Sequence, residues 1–575
     1  MSELKRVLKY ASAYRILIFL SISFAVVSAI LALYAPIIAG NVVDCIFGKG
    51  NVDFELVKKL LIRMGIVVLV SALCQWFMYG VNNKITFGVV RDVRKDAFDK
   101  LQILPFEYLD SHPQGEVVSR IIADVDQFAD GLLMGFTQLF TGIVTILGTL
   151  VFMFYLQWKI AAMVVILTPI SLFVAKFIAT KSYTLFKQQS ESRADQTALI
   201  DEMIGNLKVV KAFGHEDENQ ELFDKINDRL ASTSLKATFF SSLTNPSTRV
   251  VNNTVYAFVA LFGAFECISG KMSVGELTIF LSYATQYTKP FNEISGVVTE
   301  LQNALACARR VFDFIDEKPE TPDNNNAPVI SSVNGNVEIR DVDFSYDKDK
   351  ELIKDLNLSV SEGQRIAIVG PTGSGKTTII NLLMRFYDVD KGRISVEGHD
   401  IRDWRRQNLR SNYGMVLQET WLRAGTIKEN ITLGRAGFTD EQIIEAAKKS
   451  HAHSFIKKLP DGYETVIGED GGMLSQGQKQ LLCITRIMLD VPPMLILDEA
   501  TSSIDTRTEM KIQRAFRKMM EGRTSFIVAH RLSTIKEADR ILVMKDGHII
   551  EQGNHKSLLD ENGFYRKLYE SQFEQ

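Results

Sequence analysis

A glycine-rich run directly after a short apolar segment is the clearest chemical feature of the sequence. Ile366–Val369 is apolar, and the following run Gly370–Thr378 reads GPTGSGKTT. This matches the G-x-x-x-x-G-K-[ST] phosphate-binding loop in full, in a strand, loop and helix context. In such a loop the backbone N–H groups approach phosphate oxygens, the Lys376 ammonium reaches the β- and γ-phosphates, and the Thr377 hydroxyl ligates Mg²⁺. The run therefore predicts binding of a nucleoside triphosphate with magnesium.

A dinucleotide-binding loop is the alternative for this run. It is disfavoured because Gly373 and Gly375 are followed by Thr378, where a third glycine would be needed. The residues predicted to contact the phosphates are Gly370, Thr372, Gly373, Ser374, Gly375, Lys376, Thr377 and Thr378.

Two adjacent carboxylates follow a second apolar segment, Met494–Leu497. Asp498 suits the magnesium shell, and Glu499 is placed to polarise the attacking water as a general base. Acids at the end of a buried strand are costly without a cation nearby, which disfavours a purely structural role. His530 follows a third apolar run, Phe526–Ala529, and is predicted to contact the γ-phosphate. A histidine that simply packs in the core is the alternative for His530.

The elements that must position these residues form an α/β pattern in the second half of the chain. Short runs rich in β-branched residues alternate with helical stretches, as in nucleotide-binding domains. The runs are Val337–Ile339, Arg365–Val369, Met494–Leu497, Ser525–Val528 and Ile541–Met544. Asp316–Asn336, rich in Pro, Asn and Ser, precedes them and reads as a linker.

The first half of the chain is predicted to cross a membrane. Its first apolar run has 24 residues and extends roughly 36 Å as a helix, too long for a signal-peptide core. Four strong runs together disfavour the alternative of buried helices in a soluble protein. The six predicted spans are Ile16–Ala39, Met64–Val81, Gly131–Trp158, Ile160–Ala175, Val250–Phe265 and Leu277–Thr288.

Two long polar stretches separate these spans, Lys84–Asp130 and Lys176–Asn245. Basic residues are dense on this side, which predicts that it faces the cytoplasm together with both termini. We therefore expect a multi-pass protein of the plasma (inner) membrane with a cytoplasmic second domain. Polar residues inside the spans are expected either to line a translocation cavity or to bond helix to helix. They are Gln75, Gln138, Asn252 and Asn253.

Composition excludes several other classes of protein. The 575 residues are 46% hydrophobic and 23% charged, which allows both a large core and a soluble surface. The net charge of −3 gives no general attraction to nucleic acid. Five cysteines without a C-x-x-C pair predict neither a disulfide framework nor a zinc site.

The run Leu474–Gln478, LSQGQ, resembles the signature loop of ATP-binding cassette proteins. With it, the order of spans, long loops, linker and ATPase motifs resembles the ATP-binding cassette exporters of the bacterial multidrug type. The resemblance implies a multi-domain fold: an α-helical six-span transmembrane domain (1–315), a linker (316–336) and an α/β ATPase domain (337–575). It also implies ATP and Mg²⁺ as nucleotide and metal.

The same resemblance implies roles for further residues. Tyr346 matches the aromatic that stacks on adenine, and Gln418 matches a loop glutamine that senses magnesium. Ser475, Gly477 and Gln478 belong to the signature, which addresses the ATP held by a second subunit. The loop residues 502–505 are similar to a segment that acts across the dimer. Two further segments are similar to the coupling helices that contact the cassettes, Pro113–Arg120 and Ala212–Glu216.

The resemblance implies a dimeric half-transporter that uses ATP to export amphiphilic drugs, lipids or peptides. Gln476 departs from the usual L-S-G-G-Q signature, which favours a heterodimer, with a homodimer as the alternative. A gate or sensor without transport is disfavoured because it has no need of Glu499. A soluble cassette ATPase acting on DNA or ribosomes is excluded by the membrane half.

Overall fold

The computed structural model describes residues 3–46, 52–323, 333–348, 350–417, 420–498, 504–528 and 535–573. The chain divides into two compact units. The first unit comprises Met1–Gln102 and Pro113–Glu317, and the second comprises Ile103–His112 and Lys318–Gln575. The short segment 103–112 therefore clusters with the second unit, although the sequence places it inside the predicted transmembrane domain.

The first unit is helical in all its regular described elements, and a π-helical turn, Gly135–Leu139, lies between α6 and α7. Helix α4 (Phe106–Ser111) lies in the segment that clusters with the second unit. The other helices are α1 Glu3–Ala11, α2 Arg15–Ile46, α3 Phe54–Leu101, α5 Gln114–Ile121, α6 Ala123–Met134, α7 Phe140–Leu156, α8 Trp158–Gly205, α9 Leu207–Phe213, α10 Glu216–Ser242, α11 Thr244–Ile268 and α12 Val274–Asp316.

Five of the six predicted spans lie within single helices, in α2, α3, α8, α11 and α12. The third, Gly131–Trp158, runs from α6 through the π-helical turn and α7 to the first residue of α8. Among the described residues, three helical stretches are long and apolar enough to cross a membrane: Lys5–Ile46, Phe54–Leu101 and Glu216–Ile268. Thr141–Leu156 and Trp158–Ile170 are shorter apolar helices. Large apolar side chains on these helices are exposed, Ile16 by 78% for example, as expected where lipid is the solvent.

Small and polar residues join the helices of this unit. A Cβ on Gly275 of α12 would lie 2.2 Å from the carbonyl oxygen of Gly40 in α2, so both positions must stay small. Asp44 accepts hydrogen bonds from the Ser273 hydroxyl and from the Gly275 N–H, both at 2.7 Å. The fully buried Asn82, which the sequence analysis did not single out, accepts a bond from Ser21. Interhelical polar contacts of this kind stabilise helices in lipid.

Of the polar residues predicted in the spans, Gln75, Gln138 and Asn253 are exposed and Asn252 is half-buried. Asn253 lines a groove of about 450 Å³ on the surface of α11. Whether these residues line a translocation cavity stays a prediction. The five cysteines are all free.

The second unit is built on a six-stranded sheet with the order β12-β11-β3-β10-β9-β6, in which only the edge strand β12 is antiparallel. A four-stranded antiparallel sheet, β2-β1-β4-β5, and a β7-β8 pair accompany it. The strands are β1 Val337–Phe344, β2 Ile353–Val360, β3 Arg365–Val369, β4 Lys391–Val396, β5 His399–Asp400, β6 Tyr413–Val416, β7 Gly425–Thr426, β8 Val466–Ile467, β9 Met494–Asp498, β10 Thr524–Val528, β11 Arg540–Lys545 and β12 His548–Gly553.

The helices of this unit cover the central sheet, and both faces of β3 are buried. Ile366 and Ile368 pack into one hydrophobic cluster, whereas Ala367 and Val369 pack into another, because successive side chains point to opposite faces. The helices are α13 Lys376–Leu383, α14 Arg406–Ser411, α15 Ile427–Thr432, α16 Asp440–Lys449, α17 His453–Ile456, α18 Gln476–Met488, α19 Thr506–Met520, α20 His555–Asp560 and α21 Phe564–Phe573.

Candidate functional site

The phosphate loop connects β3 to the start of α13. Gly373 and Gly375 have φ angles of +81° and +95°, in the left-handed region that favours glycine. A Cβ on Gly370 would lie 2.3 Å from the carbonyl oxygen of Met544 in β11. The loop therefore needs glycine for its backbone conformation at two positions and for close packing at a third.

Lys376 is the first residue of α13 and is only 9% exposed. Its Nζ donates to the carbonyl oxygens of Gly370 (2.9 Å) and Pro371 (2.8 Å). Burial lowers the pKa of Lys376, while the nearby Asp498 carboxylate opposes that shift. Lys376 and Asp498, both predicted from the sequence as site residues, therefore interact electrostatically.

The loop fits a phosphate group. The Ser374 hydroxyl is buried and has no hydrogen-bond partner among the described residues. A buried hydroxyl without a partner costs about 1–3 kcal/mol, which a phosphate oxygen would offset by accepting a hydrogen bond from it. Gly375 is the N-cap of α13, and no described side chain caps this helix, so its first N–H groups also suit an anion.

The parallel strands bring Asp498 to the sheet edge at which β3 ends. Asp498 ends β9, where it pairs with Val528 at the end of β10, and Val528 in turn pairs with Ile368 of β3. The carboxyl ends of parallel strands form the usual ligand-binding edge of such sheets. Asp498 is 9% exposed there. Three predicted residues follow the ends of β6, β9 and β10 within two positions and lie outside the described residues: Gln418, Glu499 and His530.

Tyr346, the predicted adenine-stacking residue, comes two residues after β1 and is 43% exposed. Its hydroxyl accepts a hydrogen bond of 2.9 Å from Asn381 in α13, the helix that begins at the phosphate loop. Phe344 and Tyr387 contact its ring nearly at right angles, with centroids 5.0 and 4.9 Å away. Tyr346 is therefore tied to the phosphate-loop helix and keeps ring surface for stacking.

The signature residues begin α18. Ser475 is the N-cap: its Oγ accepts from the Gln478 N–H, and the Gln478 side chain accepts from the Ser475 N–H at 2.9 Å. Gly477 is buried, and a Cβ there would lie 2.5 Å from Thr508 Cγ2 of α19. Gln476 is exposed and donates to the Thr420 hydroxyl at 3.3 Å. None of the described hydrogen bonds of the signature reaches the phosphate loop.

Two family models match the chain: "ABC transporter transmembrane region" over residues 18–291 and "ABC transporter" over residues 353–502. An uncharacterised ABC transporter ATP-binding protein of Bacillus subtilis is 39% identical over 571 residues, which cover 99% of this chain and 94% of that protein. A fatty acid ABC transporter ATP-binding/permease protein of Mycobacterium bovis is 41% identical over 536 residues, covering 93% and 84%.

The chain belongs to the ABC transporter family. A solved structure of a bacterial Atm1-family ABC exporter with ATP bound is also similar, with a TM-score of 0.77 and 28% identity over 99% of this chain and 98% of that one. The predicted fold class is thereby confirmed, a helical transmembrane domain followed by an α/β ATPase domain. This ABC transporter subunit is embedded in a membrane, and its ATPase domain binds nucleotide and couples ATP hydrolysis to transport. Half-transporters of this kind function as dimers.

Both predicted coupling segments lie in the first unit of this transporter, and the contact of the first segment with a cassette stays a prediction. Pro113–Arg120, which includes most of α5, belongs to the first unit, whereas the preceding 103–112 clusters with the ATPase unit. The second segment, Ala212–Glu216, ends α9 at Phe213 and turns at Gly214, whose φ is +69°. Phe213 is 74% exposed, and its contact with a cassette stays a prediction.

Sequence reasoning missed Asn381 and Tyr387 as neighbours of Tyr346, the predicted adenine-stacking residue. Asn381 lies three residues after Thr378 on α13, so helical periodicity from the phosphate loop was a usable signal. Tyr387 lies beyond the end of α13, and its role depends on contacts between segments that are distant along the chain.

Proposed function

We propose that this chain is one half of a dimeric ABC exporter that uses MgATP to move amphiphilic molecules out across the plasma (inner) membrane. The observation that carries the proposal is a glycine phosphate loop with buried Lys376 and Asp498 at one sheet edge, on the same chain as helices long enough to cross a membrane. The ATPase unit and both termini lie in the cytoplasm in this proposal, which the basic residues of the long loops support.

In this proposal, each residue of the site has a separate role in ATP hydrolysis. Tyr346 stacks on adenine, while Lys376 and the Ser374 hydroxyl hold the phosphates. Magnesium, held by Thr377, Asp498 and Gln418, would neutralise charge on the β- and γ-phosphates. Glu499 orients the attacking water and accepts its proton, and His530 contacts the γ-phosphate. The hydroxyl, carboxylate and amide oxygens in this set are hard ligands that suit magnesium.

The dimer follows from the division of the motifs. The signature residues Ser475, Gly477 and Gln478 would address the ATP bound to the partner subunit, and the partner's signature would complete this chain's own site. We propose a non-identical partner because Gln476 adds a side chain at a position that is usually glycine. The altered signature would then face the less active of the two sites.

An amphiphilic cargo is supported by the predicted spans, which carry no charged residue at their centres. A fatty acid transporter among the relatives points the same way. The test is ATPase turnover of the full chain in phospholipid vesicles, titrated with long-chain fatty acids and with cationic amphiphilic dyes. We expect turnover to rise with at least one of these classes. Turnover that ignores every amphiphile, while small hydrophilic solutes stimulate it, would contradict the proposed cargo.

The partner is tested separately. The chain is expressed alone and then together with a second half-transporter encoded beside it, and each preparation is sized and assayed for ATPase activity. We expect the pair to exceed the single chain in stimulated turnover. A stable homodimer with full turnover that gains nothing from the second chain would overturn the heterodimer and leave the dimer intact.

A further inference from the structure

The segment 103–112 is joined to the first unit at both ends yet packs with the ATPase unit. Helix α3 ends at Leu101, and α5 begins at Gln114. Any displacement of the segment is therefore passed through the chain to both helices. Its contacts in the ATPase unit determine what can displace it.

Among the described residues, the following contacts hold this segment against the ATPase unit. The Phe106 ring lies 4.7 Å from the Phe386 ring, measured between centroids. The Tyr387 hydroxyl donates a hydrogen bond to the Asp110 carboxylate. The Ile103 carbonyl accepts a bond of 2.8 Å from the Glu320 N–H.

Tyr387 also contacts the adenine side of the nucleotide site. Its ring meets Tyr346 at 85° with centroids 4.9 Å apart, and it meets Phe344 at 5.6 Å. One half-buried side chain thus contacts the predicted adenine-stacking ring and the exposed Asp110 of α4. Burial and the bond to Asp110 raise the pKa of Tyr387, so its hydroxyl remains a donor at neutral pH.

We propose that Tyr387 is a positioning residue that transmits adenine binding at Tyr346 to segment 103–112 through its bond to Asp110. The inference rests on the proposed function, since it requires adenine to stack on Tyr346. A base placed on Tyr346 restricts that ring, and through the edge contact it restricts Tyr387. The bond to Asp110 then fixes the segment between α3 and α5. This is a coupling between two sites, and it must therefore act in both directions.

The route through Tyr387 makes a distinctive prediction, because it responds to the base of the nucleotide and not to its phosphates. Magnesium tripolyphosphate fills the phosphate loop without a base. At a concentration that protects the amides of 370–378 from hydrogen exchange, it should leave exchange in 103–112 unchanged. A non-hydrolysable ATP analogue with magnesium should slow exchange in both segments.

The experiment is hydrogen–deuterium exchange on the full chain in vesicles of phosphatidylcholine and phosphatidylglycerol. In the unsubstituted protein, the ATP analogue should slow exchange in 103–112 by about fivefold or more, the lower end of typical coupling. Tyr387→Phe keeps the ring contact but removes the bond to Asp110, so that slowing should fall below about twofold. By reciprocity, affinity for the analogue should fall by no more than about the fivefold coupling that is lost. Asp110→Ala should reproduce the loss. The double variant should add nothing further, as expected for residues that act through one bond.

Tyr463→Phe is the matched control, because it removes another tyrosine hydroxyl bond in the same unit, to His453 at 2.8 Å. It should leave the slowing intact. Undiminished slowing in both Tyr387→Phe and Asp110→Ala, or equal slowing by tripolyphosphate, would overturn the inference while the proposed function stands. If the unsubstituted protein bound no ATP analogue at all, the proposed function would fail and the inference with it.

Discussion

Two helix starts in the ATPase unit carry the motifs of this transporter, and they differ in how their first N–H groups are satisfied. At α13 the N-cap is Gly375, and no described side chain caps the helix. At α18 the N-cap Ser475 and Gln478 cap one another reciprocally. A helix start with unsatisfied N–H groups attracts phosphate strongly, whereas a capped start has fewer donors to offer. The difference supports the proposed roles, in which the phosphate loop is the primary nucleotide site and the signature a supplementary one.

Glycine is also used differently at the two starts. In the phosphate loop, Gly373 and Gly375 adopt positive φ, so the backbone itself requires them. In the signature, Gly477 has no positive φ and is required because α19 packs directly against it. Gly373 and Gly375 shape a loop that can hold an anion, whereas Gly477 allows α18 and α19 to pack closely together. Substitutions should therefore impair function at the first start and folding at the second.

The largest effect is expected at the edge beside the phosphate loop. Glu499→Gln should lower ATP turnover by about 10²–10⁴-fold, the usual result of losing a general base, while MgATP binding stays intact. Turnover and nucleotide binding are measured on the same vesicles. Glu561→Gln, an exposed glutamate elsewhere in the unit, serves as the control. Near-normal turnover of Glu499→Gln would refute its role as the base.

The next largest effect is expected on ATP affinity, which should depend on the start of α13 and not on the start of α18. Lys376→Ala should weaken MgATP affinity by about 10–100-fold, because a hydrogen bond to a charged group contributes about 1.5–3 kcal/mol. Ser475→Ala on the same chain should change that affinity by less than about threefold, since the signature addresses the partner's ATP. Affinity is measured by binding of a fluorescent ATP analogue. Equal losses of affinity in the two variants would contradict the proposal that the two helix starts have different roles in binding this chain's ATP.

A third prediction concerns folding at the signature. Gly477→Ala should lower the free energy of unfolding of the ATPase unit by about 1–3 kcal/mol, because its Cβ would clash with Thr508 and force a shift. The double variant Gly477→Ala with Thr508→Ser removes the clashing Cγ2 and should recover part of the loss. Thermal unfolding of the full chain in detergent measures both. No recovery in the double variant would show that packing against Thr508 is not the cause.

The smallest effect is expected from the capping box itself. Ser475→Ala removes the N-cap oxygen and should cost about 0.5–2 kcal/mol in stability. Ser475→Asp retains an acceptor and should restore most of it, so the pair separates capping from any role of the hydroxyl. If Ser475→Asp were as unstable as Ser475→Ala, reciprocal capping would not be what stabilises the start of α18.

Sequence reasoning succeeded where a function resides in contiguous residues. Gly370–Thr378 carries the glycines, lysine and hydroxyls of the phosphate loop in one run, and the apolar strand before it was recognisable. Five of the six apolar runs also lie within single helices, because hydropathy and length are local properties. The clustering of 103–112 with the ATPase unit was not predicted, since polar helical stretches in the long loops give no local sign of which of them packs there.

The sequence by itself therefore determined the ATPase chemistry, the membrane half and the family, because each depends on residues near one another along the chain. Only the tertiary structure decided that Gly477 is required by helix packing, that Gln476 contacts Thr420 and that the buried Ser374 hydroxyl has no partner in the described part of the chain. It alone joined Tyr387 to Asp110, 277 residues away in the chain. Contacts at such separations are fixed by how the elements pack, and no local pattern of residue types encodes them.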